Sequence, residues 1–461
     1  MSPRLSFIVI GISAAVCIAI ALQPGPAGAR PMAMPAIALT LFTVAMWATG
    51  AVPEFLAALV FFLVAAVFAI APSNLVFAGF TSSAWWLVFS GLIIGAAADS
   101  SGLGQWVARH AFRHAGIGYG GLIGAILVGC VLLSFIVPSS VGRMAIAIPA
   151  VAAIAQETGH PPGSRGYDGA MLAVIFGTFL LAFGIMPANL INILVTGTAE
   201  TLLGVHVNYG EYLLLQFPVG TVLKGLVMAG LLIWMFAPKD GGKPARTEGP
   251  RPLGRQGRIL LVVVLATLAT WGLDFLHGVQ AGWVALAAAL VCLMPGIGMV
   301  SPKLMAERVS VGTLLFAGSV LGIGPVLLDS GASALLSRLV TDNLPLTDMT
   351  PAIAYLTMAY AAAVTSLATN ITGAIAIVTP LAGEFATATG LPLKAAALAQ
   401  VNGFSAPFFP YEALPLMVGL AMSGVQAARA LWFGIALAAV SLLILTPLNL
   451  VWWRFLGYVP G

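Results

Sequence analysis

Four short segments interrupt an otherwise apolar sequence, and each carries groups able to hold an ion. They are Pro138-Ser139-Ser140-Val141-Gly142-Arg143, Gly184-Ile185-Met186-Pro187-Ala188-Asn189, Leu367-Ala368-Thr369-Asn370-Ile371-Thr372-Gly373, and the stretch from Phe404 to Glu412. Proline, glycine and small polar residues stop helices, so each segment ends one helical stretch and begins another. A stopped helix leaves unpaired N–H groups and a positive dipole end at the new start, where an anion can satisfy them. Carbonyls freed at the old end, together with hydroxyl and amide oxygens, can hold Na⁺. One such interruption alone would merely kink a packed helix. Four in matched order point to a site.

Arg143 stands out beside the first interruption. An arginine at membrane depth costs roughly 2.5–3.5 kcal/mol on insertion scales, so it should face a cavity and have a partner. Its fork suits a carboxylate bidentately. Three roles stay open: binding a substrate carboxylate, supplying a fixed charge in place of a sodium ion, or pairing with an acid such as Glu412. Glu412, beside the last interruption, could equally serve as a proton or cation site. The three cysteines, Cys17, Cys130 and Cys292, lie far apart in apolar stretches and act there as small apolar residues. No phosphate loop, catalytic triad or zinc spacing is present, which disfavours an ATP-driven pump and any resident cofactor. No cluster of His, Asp, Glu or Cys sits at membrane depth, as an integral-membrane enzyme would require.

The elements that must position these segments are transmembrane helices. Of 461 residues, 60% are hydrophobic and only 7% charged. A soluble domain needs about a quarter of its residues charged. The apolar residues fall into blocks of roughly 17–25, the length that crosses a ~30 Å hydrocarbon core. In lipid every backbone N–H and C=O must be satisfied internally, so these blocks are helices. The alternating segments of a β-barrel are not seen. A pI near 9.1 reflects short basic loops that orient the chain, and does not indicate nucleic-acid binding.

Eleven spans are expected, near 5–22, 35–51, 54–72, 83–98, 169–200, 211–236, 259–276, 280–298, 310–329, 393–423 and 427–453. Residues 5–22 imitate a secretory signal, yet the run is long enough to span and more helices follow, so a retained first helix is expected. Two re-entrant hairpins are expected at 121–156 and 352–388, with arms 121–137, 144–156, 352–366 and 374–388, each short for a full crossing. The spans 169–200 and 393–423 should be broken at Gly184–Asn189 and Phe404–Glu412. Arg109, His110, Arg113 and His114 mark an amphipathic stretch. Asp99 and Asp329 read as caps, Trp85, Trp86, Trp452 and Trp453 as aromatic belts, and Glu384 as solvated.

Ser90-Gly91-Leu92-Ile93-Ile94-Gly95, with Asp99-Ser100-Ser101-Gly102 beyond it, has a counterpart in Gly318 to Gly324 followed by Asp329-Ser330-Gly331-Ala332. With the N-terminus inside, basic residues Arg109 and Arg113, the segment 238–258, and Lys303 and Arg308 all fall inside. The two copies then run in opposite directions. The domain reading is an N-terminal helix (1–34), a first inverted repeat (35–236), a basic cytoplasmic loop (237–258) and a second inverted repeat (259–461). Inverted repeats with discontinuous helices near mid-membrane are the signature of alternating-access transporters.

From residue 35 onward the order of elements resembles the divalent anion:sodium symporter family. Ser139-Ser140-Val141, with Pro149 ten residues after Ser139, looks like that family's Ser-Asn-Thr hairpin motif. Thr369-Asn370-Ile371-Thr372, with Pro380, looks like its second copy. Gly184 to Asn189 resembles the Gly-Thr-Pro-Pro-Asn break, although it is one residue longer, and Ser140 stands where the motif has Asn. The resemblance implies an all-α polytopic, elevator-type carrier on a homodimeric scaffold. It implies Na⁺ sites at Ser139, Ser140 and Gly184, and at Thr369, Asn370 and Ala406. Ser140, Arg143, Asn189, Asn370, Thr372 and Pro410 become candidate substrate contacts, with Glu412 as a possible charge partner. The expected protein is therefore a non-enzymatic inner-membrane carrier of di- or tricarboxylates, coupled to Na⁺ or exchanging anions. A cation/proton antiporter or arsenite-type permease of the same architecture is the rival; a membrane enzyme or channel subunit is the rival from another class.

Overall fold

The structure, a computed structural model, describes residues 3–26, 28–112, 118–238, 252–297, 299–343 and 349–460. No strand occurs among the described residues. Helix α1 (Pro3–Ala21) leads to α2 (Ala33–Thr49) and α3 (Glu54–Val67). Two short helical turns within 73–81 connect these to α4 (Ser83–Ser101) and α5 (Leu103–Phe112). A hairpin of α6 (Gly118–Ile136) and α7 (Ser140–Glu157) follows. Next comes an interrupted helix, α8 (Arg165–Leu180) and α9 (Leu190–Leu203), joined by 3₁₀ turns. Then α10 (Tyr209–Phe217) passes through a π turn at Pro218–Leu223 into α11 (Lys224–Phe236).

The second half runs in the same order. Helices α12 (Arg255–Gly272), α13 (Ala281–Leu293), α14 (Val311–Asp329) and α15 (Ala332–Asn343) precede a hairpin of α16 (Pro351–Ala368) and α17 (Ile371–Thr389). The second interrupted helix is α18 (Leu393–Phe404) and α19 (Leu414–Ser423). Finally α20 (Ala427–Val440) passes through a π turn at Ser441–Leu445 into α21 (Thr446–Phe455). The π turns lie beside Pro218 and Pro447, where a missing N–H disturbs the regular ladder.

Packing repeats between the halves. Each hairpin clasps the first part of its own interrupted helix: α6 and α7 hold α8, and α16 and α17 hold α18. The second parts cross over, α9 lying on α17 and α19 on α7. The helices before the hairpins also exchange partners, α4 packing on α13 and α14 on α3. Close approach requires glycine at these crossings. A Cβ on Gly282 would lie 2.0 Å from the Ser83 carbonyl oxygen, and one on Gly403 would lie 2.0 Å from that of Ala359.

Burial agrees with a bundle in lipid. Gly166 through Leu180 of α8 are all buried, whereas Phe7, Leu63, Val67, Trp234, Leu443 and Phe455 face outward. Outward apolar side chains on helices of this length are a lipid-facing surface. Among the described residues, nine helical stretches are long and apolar enough to cross a membrane, hairpin arms included.

Several boundaries differ from expectation. The hairpin arms are 19, 18, 18 and 19 residues long, so none is short by length. Helix α7 starts at Ser140 and not at 144, because the Ser139 hydroxyl accepts the Gly142 N–H and caps the helix there. Arg143 thus belongs to a helical first turn. Asn370 caps α17 likewise, its Oδ1 accepting the Gly373 N–H, so that arm starts at Ile371 and not at 374. Matching the caps pairs Ser139, not Ser140, with Asn370, and each helix then carries proline ten residues after its cap. The expected span 54–72 ends at Val67, and 280–298 ends at Leu293 before Pro295. Trp453 is buried, with its indole donating to Leu215 O, so it is core and not belt. Asp99 faces Arg308 at 3.4 Å. Arg113, His114 and the charged residues from Lys239 to Arg251 lie outside the described residues.

Gly403→Ala should loosen the second hairpin from its helix. Overpacking against backbone costs about 1–3 kcal/mol. The expected result is a lowered melting temperature of the detergent-solubilised protein, against little change for Gly272→Ala, whose added Cβ would meet open space.

Candidate functional site

Both hairpin tips and both helix breaks open onto one cavity of about 590 Å³. Its wall includes Pro138 to Val141, Asn189 to Ile191, Asn370 to Thr372, and Tyr411 to Pro415. These segments are the starts of α7, α9, α17 and α19. Four helix N-termini therefore converge on one hollow, each bringing unpaired N–H groups and a partial positive charge of about half an elementary unit. Apolar wall is supplied by Trp47, Leu87, Phe179, Phe316 and Met417.

Local geometry at the two breaks is alike, and the sequence explains why. Each ends in a three-residue 3₁₀ turn, Met186–Ala188 or Pro410–Glu412, with proline within its first two positions. An extended residue then starts the next helix: Asn189 at φ −138°, ψ 132° and Ala413 at φ −139°, ψ 117°. Proline removes an N–H from the ladder, and the extended residue turns the following amides toward the cavity. Gly204 (φ 65°) and Gly424 (φ 68°) end the two helices in the left-handed conformation.

Donors on the wall are only partly committed. Asn189 Oδ1 accepts the Ile191 N–H at 3.1 Å, while its Nδ2 is buried with no hydrogen-bond partner. Asn370 Oδ1 accepts from Gly373 N (2.7 Å) and Thr372 Oγ1 (3.1 Å), and its Nδ2 donates to Trp47 O at 3.0 Å. Ser140 Oγ accepts from Arg143 at 3.0 Å, leaving its own O–H to donate. The charged residues among the lining ones are Glu54 and Glu412. Glu412 Oε1 accepts the N–H groups of Phe408 and Phe409, both at 2.8 Å, so that oxygen serves the break itself. Tyr411 donates to Leu367 O at 2.7 Å and ties the second break to the second hairpin.

Arg143 lies behind the wall, fully buried. Its Nη1 donates to Val137 O (2.6 Å) and Ala188 O (2.9 Å), and its Nη2 donates to Ser140 Oγ (3.0 Å) and Thr178 O (2.9 Å). Its partners are thus oxygens at the hairpin tip and the first break. It makes no ion pair with Glu412, which corrects the third of its expected roles: the acid is occupied elsewhere.

The other expected site residues divide. Ser139, Ser140, Asn189, Asn370, Thr372 and Glu412 line the cavity. Gly184, Thr369, Ala406 and Pro410 do not. A Cβ on Gly184 would fall 2.1 Å from Thr221 Oγ1, so this glycine admits the π turn to the break. Thr369 Oγ1 donates to Thr365 O (2.8 Å) and Asn370 O (2.9 Å), closing the first arm. Tyr411 takes the wall position expected of Pro410. Sequence reasoning missed Glu54, Trp47 and Phe179, which arrive from distant elements. It also missed Lys224, whose Nζ donates at 2.8 Å to both the O and Oγ of Ser405 at the second break. A lysine inside an apolar span was itself a signal.

Hairpin tips and broken helices gathered around one hollow define a membrane carrier. Residues 6–459 match the family model of the sodium:sulfate symporter transmembrane region, and the chain belongs to this family. It is a multi-pass membrane transporter of the divalent-anion symporter type. A membrane protein of Cupriavidus necator is 24% identical over 485 residues, covering 97% of this chain and 92% of that protein. The inner membrane protein YbhI of Escherichia coli is 23% identical over 399 residues, covering 83% and 82%. The crystal structure of the Alcanivorax borkumensis YdaH transporter, described as having an unusual topology, shares the fold at a TM-score of 0.58 and 17% identity, covering 84% of this chain and 88% of that one.

Removing Arg143 would leave three carbonyls and a hydroxyl short of donors, with an unfilled space. Arg143→Ala should cost about 3 kcal/mol or more, since each deserted buried polar group costs about 1–3 kcal/mol. Thermal melting in detergent checks this, with Arg143→Lys expected to fall in between.

Proposed function

We propose that this chain carries small organic anions, di- or tricarboxylates, across the inner membrane. The observation that carries this reading is the convergence of four helix N-termini on one cavity. Amide N–H groups favour carboxylate oxygens, and in a site of low dielectric their attraction is larger than in water. Apolar wall from Trp47, Phe179, Phe316 and Met417 favours a substrate with a carbon skeleton over a bare inorganic oxyanion. Asn189 Nδ2 is a free donor for one carboxylate oxygen.

Carrier action, in place of enzymatic action, is supported by the match to the symporter family. An elevator-like motion and a homodimeric scaffold go with this reading, supported by the resemblance of tips and breaks to the symporter family. The inner-membrane location is supported by the similarity to YbhI. A cation/proton antiporter is favoured less, because Glu412 spends one carboxylate oxygen on two amides and Glu54 comes from a separate element.

Proteoliposomes preloaded with unlabelled anion should accumulate labelled succinate, malate or citrate, with sulfate taken up more weakly. Sulfate alone being carried would overturn the organic-anion reading, and cation movement without any anion would overturn the anion reading. Asn189→Ala should weaken uptake affinity about tenfold or more, since a hydrogen bond to a charged group contributes about 1.5–3 kcal/mol. The concentration dependence of uptake reads this directly.

A further inference from the structure

The family model is that of a sodium symporter, yet oxygens at both interrupted helices already accept from basic side chains. At the first hairpin tip and the first interrupted helix, Val137 O, Ala188 O, Thr178 O and Ser140 Oγ all accept from Arg143. At the second, Ser405 O and Oγ both accept from Lys224 Nζ. Arg143 is 0% and Lys224 2% exposed, and neither forms an ion pair with an acid among the described residues. These six oxygens, held by side-chain donors, therefore do not fit sodium ions.

We propose that Arg143 and Lys224 are resident cations that supply, from the chain itself, the positive charge a pair of sodium ions would bring, so that this carrier works without sodium and by anion exchange. The inference rests on the anion-carrier reading above and adds its coupling mode.

Both side chains sit where helix carbonyls are deserted. Thr178 O lies in the last turn of α8 and Ser405 follows the last turn of α18, the negative ends of the two interrupted helices. Guanidinium and ammonium donors satisfy those carbonyls as a metal ion would, and they are covalently fixed. A second-half counterpart of Arg143 is missing: with Ser139 matched to Asn370, the residue four after the cap is Ala374. The second cation comes instead from α11, which the π turn at Pro218–Leu223 precedes directly.

Exchange follows from the charge. Two buried cations without acids are costly at membrane depth, and a bound dianion offsets them. Reorientation is then easier with anion bound than without. A sodium-coupled carrier gains its charge compensation from solution and loses it when sodium is absent; this one does not.

The test uses the full-length protein. In detergent, wild-type melting temperature is compared in NaCl, KCl and choline chloride at equal ionic strength. No sodium-specific rise is expected; a rise of several degrees in NaCl alone would overturn the proposal, whatever the substrate is. In proteoliposomes, succinate counterflow is measured with sodium or choline outside. Affinity should agree within about twofold, where allosteric coupling to an ion would shift it roughly 5- to 150-fold. Internal succinate should speed uptake several-fold over empty vesicles, and equal rates would overturn the exchange half. Arg143→Met and Lys224→Met should abolish sodium-free uptake, with Arg143→Lys and Lys224→Arg restoring part of it; uptake by folded, monodisperse Met variants equal to wild type would overturn the role of the charge. Absence of succinate, malate, citrate and sulfate uptake in every medium would sink the carrier reading instead, and the melting comparison would still decide the sodium question.

Discussion

An interrupted helix inside a bilayer exposes two opposite ends to a medium with no water to solvate them. Its deserted carbonyls need donors or cations, and its deserted amides need acceptors or anions. The central feature of this protein is how those ends are sorted. Amide ends of α7, α9, α17 and α19 face a common cavity, while carbonyl ends of α8 and α18 face Arg143 and Lys224. The structure is thus polarised locally, with donors toward the hollow and buried cations behind it.

That sorting depends on close packing between the halves. Each hairpin holds its own interrupted helix, and the second parts cross to the opposite hairpin. Crossing brings two tips and two breaks together, and glycines such as Gly403 let backbones touch. The buried polar side chains around the second break extend this arrangement. Asn449 Nδ2 donates to Asn402 Oδ1 at 2.8 Å, and Asn402 Nδ2 donates to Tyr355 Oη at 2.9 Å. Buried side-chain pairs of this kind favour one arrangement of helices, because any slip breaks them where no water replaces the lost partner.

Selectivity follows from the same distribution. A cavity whose lining charges are two glutamates would repel anions if side chains alone set its field. The glutamate at the second break instead accepts two amides, and the helix starts supply the attraction. An anion bound there needs no lining lysine or arginine. Arg143 and Lys224 are buried away from the hollow and do not line it.

By itself the sequence determined the membrane class, the helical architecture, the doubled order of hairpin and broken helix, and the place of each interruption. It could do so because hydrocarbon length and backbone satisfaction act through local composition: apolar runs, prolines, glycines and small polar tips. The cap pairing of Ser139 with Asn370 was also in the sequence, in the ten-residue spacing to Pro149 and Pro380, but only the helix starts at Ser140 and Ile371 selected that register. Tertiary structure alone decided which groups meet. Lys224 and Ser405 are 181 residues apart, and Asn370 reaches Trp47 across 323. Nothing local encodes such contacts, since they arise from how two halves interlock. Arg143 shows the division most clearly: its burial cost was legible from its type, whereas its partners, carbonyls rather than an acid, were fixed by the fold.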